Sequence, residues 1–317
     1  MRWRLEEDMI RIHQVNFIIN NICNLKCKYC YINTSNNYIL NNNRILRDKI
    51  KKFIRVMKEN QIKSILFTGG EPTLFPWLDD ILKYSKKHGF NNILITNAFL
   101  DLTKILPYLD SVILSLDGSK SAHTLLRENV ESYDRVIFNL NKISEYKKKG
   151  NNLECIINTV VTSSNLSLIE SSYKELLSKE FFKNAVNKVK LSKVSNEGKV
   201  LEHQELLVPE TYQKFIRDIA DRLTELSNYK IIFETNLFYK EEFFINFPSS
   251  YNFIMPVWVD FTLNSIYVDK KDIIYEIDGF KRWDNKIFES FEKIYYKIIK
   301  NIEDKEIFDP YEIMNVS

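Results

Sequence analysis

The chain reads as an α/β protein, a partial (βα)6 barrel followed by a small α+β region. Two observations predict this. From residue 14 to about residue 200, short apolar runs alternate with segments of 3.6-residue apolar periodicity, a pattern that favours parallel strands joined by right-handed helical crossovers. After residue 200 the rhythm changes to one long amphipathic helix and a set of short, closely spaced strands. Six strand–helix units are too few to close an eight-stranded barrel, so the barrel is expected to stay open.

In order, the expected strands are Val15–Ile19, Ser64–Phe67, Asn92–Ile95, Ser111–Leu116, Leu153–Val161 and Val186–Val194. These are the short apolar runs of that alternation, as the strands of a parallel α/β fold require. Between them lie helical stripes such as Leu46, Ile50, Phe53, Ile54 and Met57, and Tyr133, Val136, Ile137, Leu140 and Ile143. The stretch Asn33–Asn43 reads as a loop beside the cysteines. In the second region (201–317, after a core of 1–200) Pro209 opens a helix with stripe Tyr212, Phe215, Ile216, Ile219 and Leu223. A β run at Lys230–Glu234 and an aromatic connection from Phe238 to Phe253 follow. Trp258–Leu263, Ser265–Val268 and Ile273–Ile277 form an antiparallel set, and Asp284–Lys300 a last helix.

Composition narrows the function. Forty-five Lys and Arg against 42 Asp and Glu give a net charge of +3, too balanced for an obligatory nucleic-acid partner. The basic run Lys147–Lys149 stops at Gly150 and reads as a solvated helix end. No apolar stretch is long enough to target or span a membrane, so no membrane association and a cytoplasmic location are expected. Glycine is scarce, 7 in 317 residues, yet Gly69, Gly70, Gly118 and Gly198 all fall just beyond expected strands. There the backbone is expected to be approached closely.

Three of the four cysteines lie in Cys23-Asn-Leu-Lys-Cys27-Lys-Tyr-Cys30, spaced C-x3-C-x2-C. A disulfide with a spare thiol is disfavoured where no secretory signal precedes it. Structural zinc needs a fourth ligand nearby, and the nearest histidine, His13, lies ten residues before Cys23. Three thiolates can instead hold three irons of a cubane and leave the fourth iron open for chemistry. Cys155, at the start of its strand, reads as a buried core thiol rather than a hydrogen donor.

A second motif, Thr68-Gly69-Gly70-Glu71-Pro72, ends the second strand; Thr96-Asn97 ends the third; Ser115-Leu-Asp117-Gly118, then His123 and Arg127, follow the fourth. With the cysteine loop these resemble, in order, the motifs of radical S-adenosylmethionine (radical SAM) enzymes, and the S-x-D-G…H…R pattern is similar to their peptide-modifying branch. The likeness covers about residues 14–200. It implies one 4Fe–4S cluster on Cys23, Cys27 and Cys30, with SAM chelating the open iron. It further implies that Gly69, Gly70 and Glu71 meet the methionine amine, with Asn97 at the neighbouring strand end. Ser115 and Arg127 would address the ribose or carboxylate, Asp117 the ribose hydroxyls, and Val161, Val194 and the Tyr29 backbone the adenine. His123 is expected to be a helix-start histidine with no metal role.

The chemistry implied is reductive cleavage of SAM to a 5′-deoxyadenosyl radical that abstracts hydrogen from a substrate, with an external flavodoxin- or ferredoxin-type electron donor. Peptide-modifying relatives often carry C-terminal SPASM or Twitch cysteines for auxiliary clusters. Residues 201–317 keep a compatible outline but hold no cysteine, so a cysteine-ligated auxiliary cluster there is excluded. No leader-peptide recognition domain fits before residue 14. The substrate expected first is a ribosomally made peptide, then a small metabolite such as a sugar, nucleoside or amino acid. A non-catalytic iron–sulfur sensor is the reading from another class.

Overall fold

The structure, a computed structural model, describes residues 14–31, 43–59, 62–236 and three strand segments, 257–260, 265–267 and 273–276. The stretch 33–42, the aromatic connection and the expected final helix lie outside the described residues. The strands of the barrel are β1 (Gln14–Ile18), β2 (Ser64–Thr68), β3 (Asn91–Thr96), β4 (Ser111–Ser115), β5 (Glu154–Val161) and β6 (Lys188–Lys193). Helices α1 (Asn43–Glu59), α2 (Leu78–Lys87), α3 (Lys120–Arg127), α4 (Ser132–Lys148), α5 (Ile169–Leu177) and α6 (Glu180–Ala185) connect them.

The expected break near residue 200 meets a sheet that runs on. After α7 (Gln213–Leu226), β7 (Ile232–Asn236) pairs parallel with β6, giving seven consecutive parallel strands. The three short strands β8 (Val257–Asp260), β9 (Ser265–Tyr267) and β10 (Ile273–Glu276) pair antiparallel with one another, as the spacing predicts. Yet β8 also lies parallel to β1, register Val15↔Val257 to Ile18↔Asp260. The late strands thus extend the barrel sheet at both edges.

One face of the sheet packs against the helices and carries the core. Phe17 on β1 meets Phe53 of α1 at 5.6 Å and the edge of Phe67 on β2 at 5.7 Å. At the far side Tyr173 of α5 meets Phe233 on β7 at 5.3 Å. These contacts fix the parity of every strand: Val189, Leu191 and Phe233 face the helices, and Lys188, Lys190, Ser192 and Glu234 face the concave side. The α7 stripe is Ile216, Ile219, Ala220 and Leu223, whereas Tyr212 and Phe215, expected in it, are exposed. Cys155 is fully buried at the start of β5, and burial pushes its thiol up to about 12. It is a core residue, as its position in the strand predicts.

Candidate active site

All the motifs gather at the carboxyl ends of the strands. Beyond β1 the chain continues along β2, with Ile19 N–H donating to the Thr68 carbonyl at 3.0 Å. It then lies directly on the Gly69-Gly70-Glu71 turn. Gly70 N–H donates to the Asn20 carbonyl at 2.9 Å and Glu71 N–H to the Ile22 carbonyl at 2.7 Å. A Cβ on Gly69, where φ is +150°, would stand 2.4 Å from the Asn20 oxygen, and one on Gly70 2.3 Å from the Ile22 oxygen. The two glycines therefore let the cysteine loop close on the turn.

Glu71 is buried, and its carboxylate is spent on the protein. Oε1 accepts from Thr73 N–H at 3.0 Å, Thr73 Oγ1 at 2.6 Å and Thr96 Oγ1 at 2.7 Å; Oε2 accepts from Asn97 N–H at 2.8 Å. Burial pushes its carboxyl above the ordinary range, against the pull of these bonds. The side chain thus ties the end of β3 to the glycine turn. Asn97 in turn reaches the cysteine loop, its Nδ2 donating to Asn24 Oδ1 at 2.9 Å and lying 3.7 Å from Cys23 Sγ.

On the other side of the loop, Asp117 is fully buried. Its Oδ2 accepts from Tyr29 Oη at 2.6 Å and Arg127 Nε at 2.8 Å, and its Oδ1 from Val160 N–H at 3.1 Å. Burial alone would raise its carboxyl, but Arg127, then His123 and Tyr29, hold it below the ordinary range. Arg127 Nη1 points at Cys27 Sγ, 3.8 Å away. The structure thus turns Asp117, Tyr29 and Arg127 toward each other and toward a cysteine. His123 Nδ1 accepts from Asp117 N–H at 3.2 Å, which leaves the proton on Nε2; burial drops its pKa to about 3. It is a neutral core histidine.

Ser115 ends β4 half-buried, opposite Asn158 in the β5 register. Val161 and Val194 are joined by a backbone bond of 3.1 Å. Val161 shares the parity of Thr159, whose hydroxyl meets Tyr173 on the helical side, so Val160 is the β5 terminal residue that faces the concave side. Gly198, at φ +59°, closes over the far end of the cysteine loop. Its Cβ position lies 2.5 Å from the Cys30 carbonyl oxygen, and Lys199 N–H donates to that oxygen at 2.9 Å.

Two residues escape sequence reasoning. Asn139 of α4 accepts from Leu102 N–H and donates to the Ala98 and Leu100 carbonyls, holding the turn after β3. Asn165 donates to the Asp117 and Val160 carbonyls, tying the ends of β4 and β5. Both are single asparagines, one inside a helix; only the polarity of Asn139 within an apolar stripe marks it.

The loop fits a polynuclear iron–sulfur group. Its three cysteines are unbridged. Burial raises Cys27 and pushes Cys23 up to about 11, so a metal must displace protons to bind. Asn20 Oδ1, Asn21 Oδ1 and Asn24 Nδ2 on the same loop are buried without hydrogen-bond partners, as expected where a polar ligand completes the site. Among the described residues no group of three or more His, Cys, Asp or Glu side chains is gathered tightly enough to hold a single metal ion. A family model for the radical SAM superfamily matches residues 17–174.

The chain belongs to the radical SAM superfamily.

Its sequence is 31% identical over 168 residues to an S-adenosylmethionine-dependent nucleotide dehydratase of Flammeovirga pacifica, covering 49% of this chain and 56% of that protein. It is 32% identical over 163 residues to a GTP 3′,8-cyclase of Helicobacter pylori, covering 48% of each. The chain thus spans about half the length of these curated relatives. In fold it is similar to Streptococcus suis SuiB, with a TM-score of 0.64 at 17% identity over 90% of this chain and 66% of that one. It is also similar to anSMEcpe with bound AdoMet and a peptide, with a TM-score of 0.60 at 20% identity over 88% and 83%. Among the described residues no helix is long and apolar enough to cross a membrane.

Proposed function

We propose that this radical SAM chain is an enzyme that binds one 4Fe–4S cluster through Cys23, Cys27 and Cys30, and SAM beside it, to remove hydrogen from a substrate carbon. The observation that carries the reading is the closure of the cysteine loop onto Gly69-Gly70-Glu71. The 2.7 Å bond from Glu71 N–H to the Ile22 carbonyl joins the two family motifs into one surface. When bound and reduced by a flavodoxin- or ferredoxin-type donor, the cluster supplies the electron that splits SAM into methionine and a 5′-deoxyadenosyl radical.

The chain's own residues supply placement. Backbone at Gly69 and Gly70 receives the methionine amine, while Glu71 braces the turn with Thr73, Thr96 and Asn97. Arg127, anchored on Asp117, offers its remaining N–H groups to the SAM carboxylate with Ser115. Tyr29 closes the site beneath them, and backbone at Val161 and Val194 flanks the adenine. Unbridged thiols and an exposed-iron cofactor fit a reducing, cytoplasmic setting.

For the substrate, a ribosomally made peptide is the first reading. Likeness to the nucleotide enzymes covers about half of this chain. Likeness to SuiB, solved also with its precursor peptide SuiA, runs over about nine-tenths of it. The second reading, a small metabolite, is favoured by the level of identity to the dehydratase and cyclase. Anaerobically reconstituted protein is expected to hold one cluster per chain and to form 5′-deoxyadenosine under reductant, and Cys27→Ala to form none. Product from the Cys27→Ala chain, or two clusters per chain, overturns the reading. Substrates deuterated at defined carbons, with label sought in 5′-deoxyadenosine, decide between peptide and metabolite.

A further inference from the structure

Parallel strands in a covered sheet are ordinarily apolar on both faces. On their concave side β2, β3 and β4 comply at their centres, with Leu66, Ile93, Ile95 and Ile113, and are polar but uncharged toward their ends, at Ser64, Ser111 and Ser115. Strands β6 and β7 do not. Their concave positions carry Lys188, Lys190 and Glu234, and each lysine takes one oxygen of the same carboxylate. Lys188 Nζ lies 3.2 Å from Oε2 and Lys190 Nζ 3.5 Å from Oε1. Beside them Ser192 Oγ donates to Asn158 Oδ1 at 2.8 Å. Two cations share one anion, so the cluster has an excess positive charge. All three side chains remain about one-third exposed, at 32, 34 and 37%. Pairs this exposed contribute roughly 0–1 kcal/mol, too little for stability to explain three charges inside a barrel wall.

We propose that Lys188 and Lys190 form the anion-binding wall of the substrate site, taking a carboxylate or phosphate of the substrate, with Glu234 holding the two ammonium groups apart until it arrives. The inference rests on the reading that the concave side holds the substrate. Lys190 precedes Val194, at the strand's carboxyl end, by four residues. At about 3.3 Å per residue the anion therefore docks roughly 13 Å below the rim. The carbon that loses hydrogen lies near the rim, so the substrate is a molecule whose anionic group and reacting carbon stand on the order of 10 Å apart. The apolar wall of β2–β4 covers its other side. A phosphorylated metabolite and a peptide with an acidic side chain or carboxyl end both meet this description.

The test titrates cluster-loaded, SAM-bound enzyme with inorganic pyrophosphate and, separately, with glutarate, by anaerobic calorimetry at low ionic strength. At least one anion is expected to bind, at least tenfold more weakly to Lys190→Met and Lys188→Met, and unchanged to Lys183→Met, whose lysine lies in a groove outside the barrel. Pyrophosphate as the stronger ligand identifies a phosphate source, and glutarate a carboxylate. In the unaltered enzyme, the preferred anion is expected to protect Lys188 and Lys190, but not Lys183, from acetylation read by mass spectrometry. This arm stands even if a substituted chain fails to fold. Binding of neither anion, or binding and protection indifferent to these two lysines, overturns the proposal. Cluster content and SAM cleavage, measured on the same samples, report separately on the parent reading.

Discussion

The rim of the barrel is built in two ways. At the ends of β1–β3, backbone meets backbone. The cysteine loop lies on a pair of glycines, and the one carboxylate involved, that of Glu71, is satisfied by neutral donors on Thr73, Thr96 and Asn97. At the ends of β4 and β5, buried charge holds the structure, with Asp117 between Arg127, Tyr29 and the Val160 amide. The first half depends on the absence of atoms, the second on the presence of a paired charge. Steric closure fails abruptly when a single carbon is added. Electrostatic closure fails by the cost of whichever ion loses its partner.

The largest effect is expected at the steric half. Gly70→Ala places a carbon 2.3 Å from the Ile22 carbonyl oxygen, a backbone atom that cannot rotate away. Iron bound after reconstitution should fall to near zero while far-ultraviolet circular dichroism persists; full iron loading would break the distinction drawn here. At the charged half, Asp117→Asn leaves the Arg127 cation buried beside a weaker partner. A loss of up to roughly 3–5 kcal/mol in denaturant unfolding is expected, and a loss under 1 kcal/mol would show that the pair is dispensable.

Gly198→Ala tests whether a third steric contact, over Cys30, belongs with the first half. Its Cβ would meet the Cys30 carbonyl oxygen at 2.5 Å from a left-handed backbone. Iron content several-fold below wild type is expected, with unfolding little changed.

His123 sharpens the electrostatic half. Its folded pKa, about 3, lies below the ordinary 6.5, so the unfolded chain binds the extra proton between those values. Stability should therefore fall as pH drops from 6.5 toward 3, with a slope of at most about 1.4 kcal/mol per pH unit from this group. His123→Gln should flatten that slope in apo-protein urea titrations; an unchanged slope would assign the acid sensitivity elsewhere. The smallest effect is expected outside both halves, at Cys155→Ala, which should leave cluster content and 5′-deoxyadenosine formation intact at a stability cost of about 1–2 kcal/mol.

Much of this was legible in the residues. Strands β1 to β6 all fall within a residue or two of their expected bounds, because strands of a parallel sheet are rich in Ile, Leu and Val. The scarcity of glycine made Gly69, Gly70, Gly118 and Gly198 conspicuous; Gly69, Gly70 and Gly198 prove to be points of close backbone approach, whereas a Cβ on Gly118 would meet only the Ser172 side chain, at 3.3 Å. What escaped was the partner of each side chain. Glu71 reads as a free carboxylate beside two glycines, yet Thr96 and Asn97, some 25 residues away, consume it. Arg127 and Tyr29 read as ligand contacts, and they meet on Asp117. The run at Lys230–Glu234 reads as a strand within the second region, and only the structure shows that it pairs parallel with β6.

The sequence by itself determined which chemistry the chain can perform, because three thiolates at C-x3-C-x2-C spacing and a diglycine at a strand end are local requirements, met within a few residues. Only the tertiary structure decided where the charges go. Strand parity and register bring Lys188, Lys190 and Glu234 onto one wall and Arg127 onto Asp117. Those relations depend on which strands are neighbours, and neighbours in a parallel sheet are set by long crossovers that no local window contains.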